Sequence, residues 1–152
     1  MAAHPDILVR NRDDVPIAAI EVKNLREWPE SLSSAMRRNM IAHGVLPKVP
    51  FFLLLSQEKG FAWRESGEPA VDSLDRKPDV EFPMAQVVQR YAPPGLGDHW
   101  LRGAELEFIV LRWLDDLATG NRHDGDRAEE TLEEIGFITA IENASVLPEA
   151  VL

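Results

Sequence analysis

The sequence predicts an α/β protein in which helices flank a mixed β-sheet. Three observations carry this prediction: two short apolar runs near the N-terminus, a continuous apolar run over 49–55, and a long helix-periodic stretch over 104–118. Strand-type and helix-type segments that alternate along a chain are typical of a sheet covered by helices. The chain has 152 residues, of which 45% are hydrophobic, so it is long enough to form one domain around a substantial core.

The first two apolar runs, 7–9 and 17–22, are separated by the polar segment 10–14. Both runs are rich in aliphatic residues and are bounded by polar residues or proline, which is typical of strands. The segment between them contains Asn and Asp, which tolerate turn conformations. We therefore expect an antiparallel hairpin.

The hairpin brings two acidic residues and a lysine together. If the turn centres near Asp13, paired residues have numbers that sum to about 26 or 27, so Asp6 faces Ile20 or Glu21. Side chains alternate between the two faces of a strand, which places Glu21 and Lys23 on the same face. The predicted result is a compact cluster of Asp6, Glu21 and Lys23.

Two neighbouring carboxylates supply hard oxygen ligands for a divalent cation such as Mg²⁺, which needs only one or two of them besides water and phosphate. A bound cation polarises a phosphoryl oxygen and lowers the pKa of bound water. A nearby lysine can orient that water or stabilise charge that develops at phosphorus. The alternative interpretation is a solvated strand face with weak ion pairs.

Pro5-Asp6, followed by Glu21-Val22-Lys23 on a second strand, resembles the PD-(D/E)XK motif of the restriction-endonuclease-like nuclease superfamily. The resemblance implies an α/β core, a divalent metal (usually Mg²⁺, or Mn²⁺), and hydrolysis of phosphodiester bonds in DNA. By the same resemblance, Asp6 and Glu21 are the metal ligands and Lys23 is the catalytic lysine. The match covers the hairpin directly and, less specifically, the remainder of residues 1–65.

The chain departs from the family pattern at its start. Members usually have a helix and a strand before the strand that carries the aspartate, whereas only residues 1–4 precede it here. We therefore expect a restriction-endonuclease-like sheet that lacks the usual N-terminal helix and strand. A later segment or a second subunit would fill the empty places, and an exposed sheet edge favours a homodimer.

A helix is expected after Glu30, ended by Gly44. The residues expected to pack on the sheet are Leu32, Ala35, Met36 and Met40, with His43 as a possible addition. Arg37 and Arg38 then project elsewhere. They are candidates for contacts with nucleic-acid phosphates, and a solvated helix face is the equally open alternative.

The apolar run 49–55 predicts a strand buried on both faces, and 61–63 predicts another strand. Residues 65–82 are expected to form a connecting loop rather than a mobile lid. Further along, we expect three helices and a C-terminal tail: a helix through Met84–Tyr91, a strongly apolar helix over Ala104–Ala118, an acidic helix over Arg127–Ile135, and a short apolar tail from Gly136 to Leu152. Residues 1–120 thus make the PD-(D/E)XK-like domain, and residues 121–152 pack on it.

The apolar helix over 104–118 is expected to lie where the missing first helix would be. Glu105 or Glu107 would then approach the metal site. The alternative is that both are ordinary first-turn acids, which the helix dipole favours.

Charge limits the choice of partner. The net charge of −10 fits poorly with binding to long nucleic acids, but residues 1–64 carry +2 and residues 65–152 carry −12. The chain has no cysteine, no apolar run of membrane-spanning length and no signal-peptide pattern, so we expect a cytoplasmic protein. The expected function is a metal-dependent DNA nuclease. The alternative is a catalytically inactive binding or assembly module that keeps the nuclease fold.

Overall fold

The computed structural model describes residues 5–65, 76–93 and 100–149. They form an α/β fold with a six-stranded mixed sheet of strand order β5-β4-β3-β2-β1-β6. The strands are β1 (Ile7–Arg10), β2 (Pro16–Val22), β3 (Phe51–Leu55), β4 (Lys59–Arg64), β5 (Val80–Pro83) and β6 (Ser145–Pro148). The helices are α1 (Glu30–Ala42), α2 (Ala85–Tyr91), α3 (Gly103–Ala118), α4 (Arg127–Glu134) and α5 (Phe137–Ala140). Within the described residues, no helix has the length and apolar character needed to cross a membrane.

The N-terminal hairpin forms as the sequence predicts. In β1 and β2, Ile7 pairs with Ile20 and Leu8 with Ala19. The numbers of paired residues therefore add up to 27, the larger of the two expected sums. The pairing shifts between Val9 and Arg10 beside the turn. Because the register continues toward the open end of the hairpin, Asp6 lies across from Glu21.

The strand β3 is parallel to β2 and antiparallel to β4, and it is fully buried, as expected for a central strand. Its alternate side chains enter two separate apolar clusters. Phe51, Leu53 and Leu55 face α2 to α5, whereas Phe52 and Leu54 face α1. The sheet is therefore the middle of three layers.

The buried face of α1 matches the prediction in part, because Met40 is buried and Met36 packs against the same apolar cluster. The residues that it buries are Ser33, Ser34, Arg37 and Met40, while Leu32 is 38% exposed. The helix is rotated relative to its apolar pattern because the Arg37 guanidinium forms an ion pair with Glu65, which follows β4, at 2.8 Å between Nε and Oε1. A buried arginine with a fixed carboxylate partner thus takes a place that the pattern assigned to apolar side chains.

The C-terminal segment completes the sheet. The strand β6 pairs antiparallel with β1, with Ile7 opposite Pro148 and Arg10 opposite Ser145. This strand was not predicted; the sequence suggested only an apolar tail. It covers the edge of β1, which we expected either a later segment or a second subunit to cover, so the exposed-edge argument for a homodimer no longer applies and the dimer stays a prediction.

The connecting loop that we expected over 65–82 ends earlier than predicted, because Val80–Pro83 form the strand β5. Residues 66–75 of that connector lie outside the described part of the chain. The next helix, α2, begins at Ala85 rather than at Met84. The acidic helix and the long apolar helix are confirmed as α4 and α3.

A buried polar network connects α4 to its neighbours. The fully buried carboxylate of Glu129 accepts hydrogen bonds from the Trp113 indole (3.0 Å) and the His123 backbone (2.7 Å). The His123 ring nitrogen Nδ1 lies 2.8 Å from the same carboxylate. Asp126 caps α4 by accepting from the Glu129 backbone, and it forms an ion pair with Arg90 at 2.8 Å. Residues 121–149 therefore share the core of the preceding chain.

Candidate functional site

The candidate site lies where the parallel strands β2 and β3 both end. This end of the sheet, formed by the carboxyl termini of those two strands, is called the site edge. In α/β sheets, ligands characteristically bind outside the carboxyl ends of parallel strands. The first strand β1 is antiparallel to β2, so it begins at this same edge. The edge therefore collects Asp6 from the start of β1, Glu21 and Lys23 from the end of β2, and Gln57 from the loop after β3.

Asp6 and Glu21 hold the two strand ends together through reciprocal hydrogen bonds. The Val22 N–H donates to Oδ2 of Asp6 at 2.8 Å, and the Asp6 N–H donates to Oε1 of Glu21 at 3.2 Å. Each carboxylate thus accepts from the backbone of the opposite strand or its immediate neighbour. The Glu21 residue is only 7% exposed, whereas Asp6 is half-buried.

This environment favours the neutral form of Glu21. Burial, followed by a side-chain hydrogen bond with Asp6 and the negative charge of Asp6, raises the pKa of Glu21 to about 8. The positive charge of Lys23 acts in the opposite direction. The carboxyl group of Glu21 therefore keeps its proton near neutral pH unless a cation compensates the charge of the pair.

Lys23 supplies part of that compensation. Its Nζ lies 3.9 Å from Oε2 of Glu21, and its side chain is 41% exposed. Its backbone N–H donates to the Leu55 carbonyl at 2.9 Å, so the lysine is anchored to the end of β3. The ammonium group faces both the acid pair and solvent, which leaves it able to contact a bound anion.

Glu105 and Glu107, the two glutamates of α3 that we considered as neighbours of the metal site, have different surroundings. Glu105 caps the helix: Oε1 accepts from the Arg102 N–H at 2.9 Å, and this contact lowers the pKa of Glu105. Partial burial and the charge of Asp6 raise the pKa of Glu107. Glu107 therefore lies within electrostatic range of the acid pair, whereas Glu105 serves the helix end.

A network of side-chain amides, which was not predicted from the sequence, also fixes this edge. The Gln57 side chain, 8% exposed, accepts from the Leu101 N–H at 3.1 Å and donates to the Asn24 amide oxygen at 2.6 Å. The Asn24 amide group donates to the Leu101 carbonyl. The network ties the segment before α3 to the ends of β2 and β3. A usable signal was present, since Asn24 and Gln57 each lie two positions after the end of an apolar strand.

The two arginines predicted to contact phosphates have different surroundings. Arg37 is fully buried and binds Glu65 through two hydrogen bonds of 2.8 and 3.0 Å, so the expectation of a nucleic-acid contact is wrong for this residue. Arg38 is exposed and lines a groove of about 520 Å³ beside α1, together with Ser34 and Lys77. A phosphate contact of Arg38 stays a prediction.

The donor set at the acid pair suits a hard divalent cation. Carboxylate oxygens of Asp6 and Glu21, which face each other, are the ligand type that Mg²⁺ prefers, and water or substrate can complete its coordination. Across residues 5–65, 76–93 and 100–149, no three His, Cys, Asp or Glu side chains are grouped so as to hold a metal ion. Any metal here would thus be bound chiefly by two carboxylates.

Comparisons with protein-family models, with curated proteins and with solved structures found no match for this chain. The functional argument therefore rests on the chemistry of the residues at this edge.

Proposed function

We propose that the protein is a divalent-metal-dependent nuclease of restriction-endonuclease-like type that hydrolyses phosphodiester bonds in DNA. The observation that carries this proposal is the contact of Asp6, Glu21 and Lys23 at the carboxyl edge of the parallel strands. The acidic pair and the lysine come from the two strands that the PD-(D/E)XK-like motif requires. Their spatial arrangement is the reason to extend the resemblance from the sequence to a function.

In this proposal, Asp6 and Glu21 hold a Mg²⁺ ion, which supplies Lewis-acid activation of a phosphoryl oxygen and of water. Lys23 contacts the attacking water or a non-bridging phosphate oxygen and stabilises the charge that develops at phosphorus. Its partial exposure and its position 3.9 Å from Glu21 suit that role. Glu107 increases the negative potential at the pair and so favours cation binding.

The test is cleavage of plasmid, duplex and single-stranded DNA with Mg²⁺ or Mn²⁺. We expect cleavage by the unaltered protein and a loss of about 100-fold or more in Lys23→Met, because a group that stabilises charge in the transition state is removed. Asp6→Asn and Glu21→Gln retain side chains of the same size and should also abolish cleavage. Glu134→Gln, an exposed change on α4, is the matched control and should cleave normally.

Absence of cleavage with every substrate and metal would refute the proposal, as would full activity in Glu21→Gln. Active-site changes that abolish cleavage only by unfolding the chain would be recognised by circular dichroism of the purified variants.

The second candidate is a non-catalytic binding or assembly module. It is favoured by the reciprocal hydrogen bonds of Asp6 and Glu21. Through these bonds both carboxylates stabilise the pairing of the two strand ends without any metal. Thermal melting separates the two candidates. A nuclease site should gain about 5–10 °C in Tm at a Mn²⁺ concentration 100 times Kd, and Asp6→Asn should lose this gain. A module of this kind should melt at the same temperature with and without Mn²⁺.

A further inference from the structure

An aromatic–cation pair lies beside the amide network that joins the ends of β2 and β3. The Arg26 guanidinium carbon lies 4.2 Å from the centroid of the Trp100 ring. Arg26 is exposed and follows Lys23 by three residues, whereas Trp100 is half-buried and directly precedes Leu101. A planar guanidinium over an indole face is a favourable contact, and it shows that this ring accepts a flat partner.

Trp100 is held in place by the amide network already described. The next residue, Leu101, is 2% exposed, and its N–H and carbonyl are both bound by side chains of Gln57 and Asn24. Consecutive Cα atoms are about 3.8 Å apart, so the Trp100 backbone cannot move far from the site edge. Because its backbone is restrained in this way, Trp100 loses less conformational entropy when it binds a ligand than a residue in an unrestrained loop would lose.

Charge around the site limits the kind of nucleic acid that can bind. Segments 23–29 and 100–102 carry only three cations, Lys23, Arg26 and Arg102. The net charge of the chain is −10, and the acid pair adds negative potential at the site itself. Binding to long duplex DNA draws its affinity from many phosphate contacts, which this edge cannot supply. Another source of affinity is needed, and stacking on an aromatic ring is one that does not depend on net charge.

We propose that Trp100 is a stacking platform for an unpaired base, and that the nuclease substrate is single-stranded DNA or a single-stranded end. This inference rests on the proposed function, because it assigns the substrate class of the same site. On binding, the base takes the place of the Arg26 guanidinium on the ring, and Arg26 pairs with a phosphate of the same strand. A paired base in a duplex has its faces covered by its neighbours and cannot stack in this manner.

Binding is measured without cleavage, by fluorescence anisotropy of a labelled dT 12-mer and of a 12-bp duplex in EDTA and in Ca²⁺. We expect the single strand to bind at least about tenfold tighter than the duplex. Trp100→Ala should weaken single-strand binding by about 5- to 150-fold, since stacking of one base is worth about 1–3 kcal/mol. Trp100→Phe should retain most of the affinity, because it keeps an aromatic face.

Phe108→Ala is the matched control, since it removes an aromatic ring that is 57% exposed on α3. It should leave binding unchanged. With three cations at the site, the slope of log K against log salt should be about −2 for the single strand.

Equal affinity for duplex and single strand would overturn the proposal, as would unchanged binding in Trp100→Ala or no detectable binding of either DNA. Cleavage assays in Mg²⁺ distinguish failure of the stacking proposal from failure of the proposed nuclease function. Single-strand binding that depends on Trp100 but leads to no cleavage refutes the nuclease and retains the platform. Cleavage of duplex DNA that is indifferent to Trp100→Ala refutes the platform and retains the nuclease.

Discussion

Replacement of Glu21 by glutamine should make the protein more stable at alkaline pH. Burial raises the pKa of Glu21 from its ordinary value of 4.5 to about 8. Between these values the folded protein holds a proton that the unfolded chain has released, so the free energy of unfolding falls as pH rises through this window. Glutamine cannot ionise, yet its amide can donate to Asp6 as the protonated acid does. The variant should therefore lack this loss of stability.

The size of the effect follows from the shift. Each pKa unit is worth about 1.4 kcal/mol, so the pKa shift of Glu21 sets an upper limit of about 5 kcal/mol on the loss between pH 4.5 and 8. The site lies at the open edge of the sheet, where water can reach the ionised pair. We therefore expect about 2–3 kcal/mol, which remains a large fraction of the stability of a small domain.

The assay is urea denaturation in EDTA at pH 5.5, 7 and 9, followed by circular dichroism. Glu21→Gln and the unaltered protein should differ little at pH 5.5, and the variant should be more stable by about 2–3 kcal/mol at pH 9. Glu134→Gln, on an exposed surface of α4, should follow the unaltered protein at every pH. A difference between Glu21→Gln and the unaltered protein that does not change with pH would refute the reasoning.

Three further outcomes are expected. Glu65→Gln should destabilise the protein by about 3–5 kcal/mol, because Arg37 is fully buried and loses its charged partner; chemical denaturation measures this, and a cost below 1 kcal/mol would contradict it. Gly60→Ala should cost about 1–3 kcal/mol or more, since the new Cβ would overlap the Phe82 ring; an unchanged Tm would contradict this expectation. Mn²⁺ affinity, measured by calorimetry, should rise about tenfold per pH unit from 6 to 8 as Glu21 loses its proton, whereas a flat profile would exclude Glu21 as a ligand.

The parts of the fold that sequence predicted well are those fixed by local patterns. The hairpin register follows from the turn and the period-two alternation, which together place Asp6 opposite Glu21. The strand β3 follows from an apolar run with no polar break, and α3 from a wide apolar face. The acid–acid–lysine cluster was within reach of sequence because all three residues belong to one hairpin.

The parts that sequence missed depend on distant partners. The orientation of α1 is set by Glu65, which lies 28 residues beyond Arg37, and no local pattern marks an arginine as buried. The four residues of β6 were predicted to be part of a tail rather than a strand, because their partner strand, β1, is at the other end of the chain. The contact of Gln57 with Leu101 spans 44 residues. Such pairings are decided by tertiary packing rather than by propensity.

A raised pKa at Glu21 does not by itself argue against a metal site. With a pKa of about 8, ionising Glu21 at pH 7 costs about one pKa unit, or about 1.4 kcal/mol. Coordination of a divalent cation by the two carboxylates offsets a cost of this size, because the cation compensates the buried charge of Glu21 and removes its repulsion with Asp6, and both of these effects raise the pKa. In the proposed nuclease, the proton and the metal would therefore compete for the same pair of carboxylates. The pair would join the two strands of the hairpin in the absence of metal and would bind a cation above neutral pH.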